Sequence, residues 1–131
     1  EAMMDGEMSY REGRFDAAFA HLRRAVELDD NLPYDEPWGW MQPARHALGA
    51  LLLERDRVEE AEAVYRADLG FDGTLPRARR HPGNVWSLQG LYECLTRSGR
   101  DCEARLIKPA LDVALARADV DISYSCYCRG L

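Results

Sequence analysis

Three segments decide how this chain folds: GRFDAAFAHLRRAVEL at 13–28, DRVEEAEAVYRADLGF at 56–71 and GRDCEARLIKPALDVA at 99–114. Ala18, Ala61 and Ala104 recur at a constant offset of 43 residues, and Gly13, Asp56 and Gly99 stand five residues before them. Each segment opens on a turn residue and continues with apolar residues at helical spacing. In the first, Phe15, Ala18, Phe19, Leu22, Val26 and Leu28 form one stripe. In the second, Val58, Ala61, Val64, Tyr65 and Leu69 do so. A helical pattern repeated at a fixed offset implies stacked, similar units.

A further helix precedes each segment. The clearest is MQPARHALGALLLERD at 41–56. Pro43 suits a first helical turn, where its missing N–H costs nothing, and Leu48, Leu51 and Leu52 mark the apolar face. Asp56 and Glu59 read as a capping box for the next helix. Asn84 reads as the N-cap of the helix carrying Trp86, Leu88, Leu91 and Leu95. Pro109 is expected to kink or end the last helix near Lys108. The expectation is six helices in three antiparallel pairs, about 2–12 with 15–29, 43–55 with 58–70, and 84–98 with 101–118. The whole is one all-α domain, with hairpins at about 2–29, 43–70 and 84–118 and a tail at 119–131.

Composition narrows the partners. The chain has 131 residues and is 47% hydrophobic, enough for a core and too much for disorder. Its longest apolar run, Ala47 to Leu53, is far too short to cross a bilayer, so no membrane partner is expected. A net charge of −6 argues against nucleic acid, which needs a basic footprint. The basic cluster Arg77, Arg79, Arg80 and His81 sits among turn residues and reads as a solvated loop. The opening EAMMDGEMSY has neither a basic n-region nor an apolar h-region. It starts inside a helical pattern, so a piece of a longer protein is expected, with the cytoplasm as default compartment. Cys94, Cys102, Cys126 and Cys128 lack the spacing of a secreted disulfide framework and are expected as thiols.

Leu48-Gly49, Leu52, Val58, Ala61 and Tyr65 in the second pair resemble the tetratricopeptide repeat (TPR) family. Gly6, Gly13, Phe15, Ala18, Leu22 and Ala25 do so in the first. The third departs from the pattern, with Tyr92 where a small residue belongs and Asp101 at an aromatic position, and Asp68 replaces an alanine in the second. The block LPYDEPWGWMQPARHALGALL with EAEAVYRADL is similar to the C-terminal part of a subfamily of bacterial and fungal TPR proteins. The offset of 43 exceeds the 34 residues usual for the family. The excess lies in the connectors DNLPYDEPWGWMQP (30–43) and DGTLPRARRHPGN (72–84).

The resemblance implies an α-solenoid of three TPR-like hairpins with long inter-repeat connectors and an extended C-terminal tail. It implies a concave groove lined by the first helix of each pair, with Glu7, Tyr10 and Arg11, then His46, Ala50, Leu53 and Glu54, then Trp86, Gln89, Glu93 and Arg97 facing it. The implied partner is a protein or peptide segment. The Lys and Asn of a chaperone-binding carboxylate clamp are missing, so a chaperone C-terminus is not expected. Trp38 and Trp40 in the first connector either pack over the hairpin edge or, with Tyr34, Asp35 and Glu36, form a lip beside the groove.

Two chemical alternatives remain at this level. Glu7, His46 and Glu93 are placed to face one another across the groove, the arrangement of a general base or a metal site. A polar groove holds such residues by default, so no residue is assigned a catalytic role. The tail DVDISYSCYCRGL alternates, with Val120, Ile122, Tyr124, Cys126 and Cys128 on one face. That is an extended, period-two pattern. With no sheet to join, the tail is expected to cover the last helical pair or run back along the groove. The alternative is a zinc or copper(I) site, or a thiol-redox centre, formed by Cys126 and Cys128 with Cys94 and His81 or His46. No other cofactor is expected. A disulfide within Cys126-x-Cys128 is expected to be strained, because neighbours two apart in an extended chain lie near the far limit of bridging distance. The first helix carries no N-terminal cap and is expected to offer a surface for self-association.

Overall fold

Gly13, Asp56 and Gly99 all adopt the left-handed backbone, with φ of +77°, +58° and +68°. Around them the computed structural model, which describes residues 1–33 and 42–130, shows one turn built three times. Arg14 N–H donates to Ser9 O, Arg57 N–H to Leu52 O and Arg100 N–H to Leu95 O, each at 2.9 Å. Inside these bonds, Gly13 N–H reaches Tyr10 O at 3.0 Å, while Asp56 N–H reaches Leu53 O and Gly99 N–H reaches Thr96 O, both at 3.1 Å. This is a Schellman closure, which pairs the last carbonyls of a helix and needs a residue that tolerates positive φ. The offset of 43 residues is therefore visible in the hydrogen bonds as well as in the letters.

Six α-helices follow among the described residues: α1 (Ala2–Arg11), α2 (Phe15–Asp30), α3 (Ala44–Glu54), α4 (Val58–Leu69), α5 (Val85–Arg97) and α6 (Asp101–Leu115). A short 3-10 turn at Arg77–Arg79 interrupts the second connector. Each helix packs on the next, and α3 also touches α5. Apart from Leu28, which is 45% exposed, the apolar stripes expected from the spacing form one core. Phe19, Leu22, Leu51, Leu52, Leu53, Tyr65, Leu88, Leu91 and Leu95 are almost wholly removed from water. Arg55 and Arg57, from the second turn, lie over the rings of Phe15 and Phe19 at 4.1 and 4.5 Å and tie the second pair to the first. Arg45 completes that junction with a two-bond pair to Asp30 at 2.5 and 2.7 Å. Asp29 accepts from the Ala44 N–H at 3.3 Å, so the N-terminus of α3 is capped from the neighbouring helix.

Three expectations are corrected. Asp56 and Glu59 do not form a capping box: Asp56 occupies the left-handed turn position, and α4 starts after Arg57 without a side-chain cap. Pro109 does not end α6, which runs on to Leu115. The proline lies on the solvent face, and Arg105, whose carbonyl loses its helical donor, is exposed there too. The basic cluster is not merely solvated: Arg80 donates to Leu75 O at 2.7 Å, Arg79 bonds Leu32 O, and His81 turns inward. Asn84 behaves as expected, accepting from Ser87 N–H at 2.8 Å. Trp38 and Trp40, with Tyr34, Asp35 and Glu36, lie outside the described residues.

The left-handed turn yields a direct test. Asp56 is the one turn residue of the three with a side chain to strain, and that side chain is 91% exposed, with only a long 3.8 Å approach to Arg97. Asp56→Gly is expected to raise stability by about 0.5 kcal/mol, and Gly99→Ala to lower it by about 1 kcal/mol. Urea midpoints would show both; a loss on Asp56→Gly contradicts the assignment.

Candidate functional site

The tail leaves α6 through residues 116–121, most of them exposed, and then turns back over α5, α3 and α1. It is anchored by side chains from all three helices. Gln89 Nε2 donates to Ser123 O at 3.3 Å. Glu93 accepts two bonds from the Arg129 guanidinium, at 2.7 and 2.9 Å. Glu54 accepts from Gly130 N–H at 3.1 Å, and Arg11 donates to Cys128 O. Trp86 packs edge-on against Tyr127 with ring centroids 5.4 Å apart. The Arg129 guanidinium also lies 4.5 Å from the centre of the Tyr124 ring.

The deepest anchor is Ser125, only 2% exposed. Its hydroxyl donates to His46 O at 3.3 Å and accepts from the Tyr65 phenol. Tyr65 belongs to α4, behind the groove, and reaches the tail by passing between two glycines. A Cβ at Gly49 would stand 2.4 Å from the Tyr65 ring, and one at Gly90 would stand 2.2 Å away. Neither position admits any larger residue while the ring stays in place. Burial pushes the Tyr65 phenol far above its ordinary pKa, so it serves as a neutral donor.

The tail is not the period-two strand its letters indicate. Bends at 123–125 and a turn at 127–128 break the alternation. Ile122, Cys126 and Cys128 do face inward, but Ser125 joins them, while Val120 and Tyr124 are 51% and 40% exposed. The reason is hydrogen bonding: with no neighbouring strand, the tail's backbone groups pair with helix side chains at irregular intervals. The turn also brings the Cα atoms of Cys126 and Cys128 to 5.2 Å, closer than the roughly 6.6 Å of an extended chain. The two sulfurs are joined in a disulfide. The expectation of thiols is therefore corrected for this pair, while Cys94 and Cys102 remain free.

Several residues expected in the groove do other work. Tyr10 is buried, with its ring 5.2 Å from Phe15 and 6.1 Å from Phe19 and its hydroxyl on Glu54, the residue that also holds Gly130. Arg97 donates to Leu53 O at 2.7 Å and pairs with Glu93 at 3.3 Å, so it holds the end of α3. Ala50 and Leu53 are buried in the core. His46 does not stand between Glu7 and Glu93. Its Nε2 turns to Asp68 Oδ2 at 3.1 Å, while Glu93 is engaged by Arg129 and Arg97. Glu7 and His46 share the wall of a cavity of about 410 Å³, together with Gln42, Trp86 and tail residues including Cys126 and Cys128. A second, more apolar cleft of about 780 Å³ adjoins it, lined by Met4, Met8, Leu28 and Leu32, and shares Glu7 and Gln42. The α1 N-terminus beside it has no side-chain cap, as expected.

Asp68 is the polar hub beneath this site. It is fully buried and takes four donors: His46 Nε2 at 3.1 Å, His81 Nδ1 at 2.7 Å, Asn84 Nδ2 at 2.9 Å and Ser87 Oγ at 2.6 Å. Three of the donors meet Oδ2 and one, His81, meets Oδ1, so both carboxylate oxygens are engaged. Burial alone would push its pKa up. The hydrogen bonds from His46 and His81 more than offset this and hold it well below the ordinary carboxylate range. Since an ionised carboxylate only accepts, the facing nitrogens of both imidazoles carry hydrogens. The signal for this hub was present in the letters: a charge at 68 continues the buried stripe of Ala61 and Tyr65 at helical spacing.

The five residues weighed for a metal do not converge. His46 and His81 face Asp68, Cys126 and Cys128 bind each other, and the Cys94 thiol, wholly buried, is pushed up to about 12 by burial. Among the described residues no group of three or more His, Cys, Asp or Glu side chains is arranged around a cation position. No described helix is long and apolar enough to cross a membrane. No family model, curated protein or solved structure matches this chain.

Proposed function

We propose that this chain is a protein- or peptide-binding scaffold, an α-solenoid of TPR-type hairpins whose ligand lies as a non-helical segment across α1, α3 and α5. One observation carries the reading: a non-helical segment, the chain's own tail, already lies there, held by Arg11, Glu54, Gln89 and Glu93 from the three helices. Main-chain bonds supply sequence-tolerant affinity and the aromatic Trp86 supplies area, the usual division of labour in peptide grooves. The threefold turn and the 43-residue offset support the hairpin part of the reading.

The test is a set of peptides panned from a random library, with amide shifts mapped on the labelled protein. Shifts are expected on α1, α3 and α5, and Trp86→Ala is expected to weaken binding about tenfold without lowering the melting temperature. Shifts confined to α2, α4 and α6 would sink the reading.

A second reading, thiol–disulfide chemistry, is favoured by the joined Cys126 and Cys128 on the wall of the smaller cavity. Denatured, unreduced protein is expected to alkylate at Cys94 and Cys102 alone, and at all four cysteines after reduction. Zinc or copper(I) would require the reduced pair as thiolates; full alkylation without reductant would remove the disulfide version.

A further inference from the structure

We propose that the groove selects a bent, non-helical segment carrying an arginine four residues after a serine, and that residues 122–130 are its built-in competitor. The inference rests on the groove reading above and names its ligand. Most tail anchors read only the main chain: Gln89 meets the carbonyl of Ser123, Arg11 that of Cys128, and Glu54 the N–H of Gly130. These bonds are open to almost any sequence. The edge of Trp86 asks only for an aromatic ring, met here by Tyr127, and two further anchors read a particular side chain. Ser125 fits a site floored by the Tyr65 phenol and the His46 carbonyl, where a larger residue would displace both. Arg129 meets Glu93 through two parallel bonds, the geometry that separates arginine from lysine. Its side chain is only 10% exposed although it stands two residues from the end of the chain shown.

Charge favours the same ligand. Glu93 and Glu54 flank the Arg129 position, and the chain as a whole carries −6, so a cationic segment is drawn toward the groove. The tether permits exchange. Residues 116–121 are mostly exposed, so the tail leaves by giving up contacts from Ile122 onward without disturbing α6. A tethered ligand acts at high effective concentration and lowers the apparent affinity of any outside segment by the fraction of time it occupies the groove. The tail thus sets a threshold that a partner must exceed.

Charge reversal tests this on the full chain. The probes are two labelled peptides spanning 121–131, one with the natural Arg129 and one with glutamate in its place. Arg129→Glu frees the groove by repelling the tail from Glu93. This protein is expected to bind the arginine peptide about tenfold more tightly than wild type and to refuse the glutamate peptide. Glu93→Arg is expected to show the reverse preference. The double variant Glu93→Arg, Arg129→Glu restores the pair with opposite signs, and is expected to reclose the tail and bind neither peptide well. Equal binding of both peptides by all four proteins overturns the proposal. Hydrogen exchange at 122–130 reports whether the tail has left, and Arg129→Ala serves if the glutamate variant fails to fold. If the tail is released and the arginine peptide still does not bind, the proposal fails. The groove reading then stands or falls separately, on whether library-selected peptides bind the same protein.

Discussion

Asp68→Ala is expected to cost about 3–5 kcal/mol, among the largest losses any single substitution would cause here. The carboxylate accepts from His46, His81, Asn84 and Ser87, which come from α3, the second connector and α5. Truncation leaves these donors facing a cavity; Ser87 is wholly buried and His46 is 5% exposed, so water does not replace the lost acceptor. Each orphaned buried donor costs about 1–3 kcal/mol. Asp68→Asn does not rescue the hub, because its amide nitrogen presents hydrogens to donors. Chemical denaturation would measure both variants; a loss below about 1 kcal/mol for Asp68→Ala would show that the hub is not what joins these elements.

The same residue predicts a pH dependence of known sign. Its folded pKa is depressed, so its contribution is complete above the unfolded aspartate value of about 3.9 and is lost as pH falls below it toward the folded pKa. Wild type is therefore expected to lose stability more steeply than Asp68→Ala as pH drops from about 5 to about 2, and the gap between them to narrow.

Gly90→Ala is the second large effect, with an expected cost of about 3 kcal/mol. The added Cβ would stand 2.2 Å from the Tyr65 ring, which is wholly buried and held from the other side by Gly49. The ring has nowhere to go, since the core is close-packed. Either α5 shifts away from α4 or Tyr65 abandons its path, and in both cases the Tyr65 hydroxyl loses Ser125. The variant is thus expected to loosen the tail as well as the core, seen as faster amide exchange at 122–130. Combining Gly90→Ala with Tyr65→Leu removes the clash and is expected to recover part of the core stability but not the tail protection. Additive losses in that double variant would contradict the clash.

Much of this architecture is legible in the letters. The apolar spacing and the residues at 13, 56 and 99 place all six helix starts to within one residue. The reason is physical: helix ends are set by local backbone chemistry, and left-handed turns and N-caps such as Asn84 are local. Even so, Asp56 was legible as a turn and not as a left-handed one, because aspartate serves both caps and αL positions. Pro109 misleads because its cost depends on whether the orphaned carbonyl meets water, and that depends on which face of α6 looks outward.

The candidate site divides along the same line. Glu93, Gln89, Trp86 and Arg11 are readable as sharing one surface because they fall on one face of their helices, and all four meet the tail. Tyr10 and Arg97 share that periodicity but turn to partners supplied by other segments, Phe15 and Phe19 for one and the Leu53 carbonyl for the other. The tail is legible as non-helical and as lying against the hairpins, but its pattern of twos misassigns Ser125 and Tyr124, whose burial is decided by Tyr65 and Arg129.

By itself, the sequence determined an all-helical chain of three similar pairs, because 3.6-residue apolar spacing and turn residues act within a few positions of themselves. Only the tertiary structure decided that Asp68 gathers two histidines, that Tyr65 threads two glycines, and that residues 122–130 lie across α1, α3 and α5. Each of these joins residues at least 13 positions apart, and as many as 117 between Arg11 and Cys128, and hydrogen bonds and close packing at such separations leave no periodic trace.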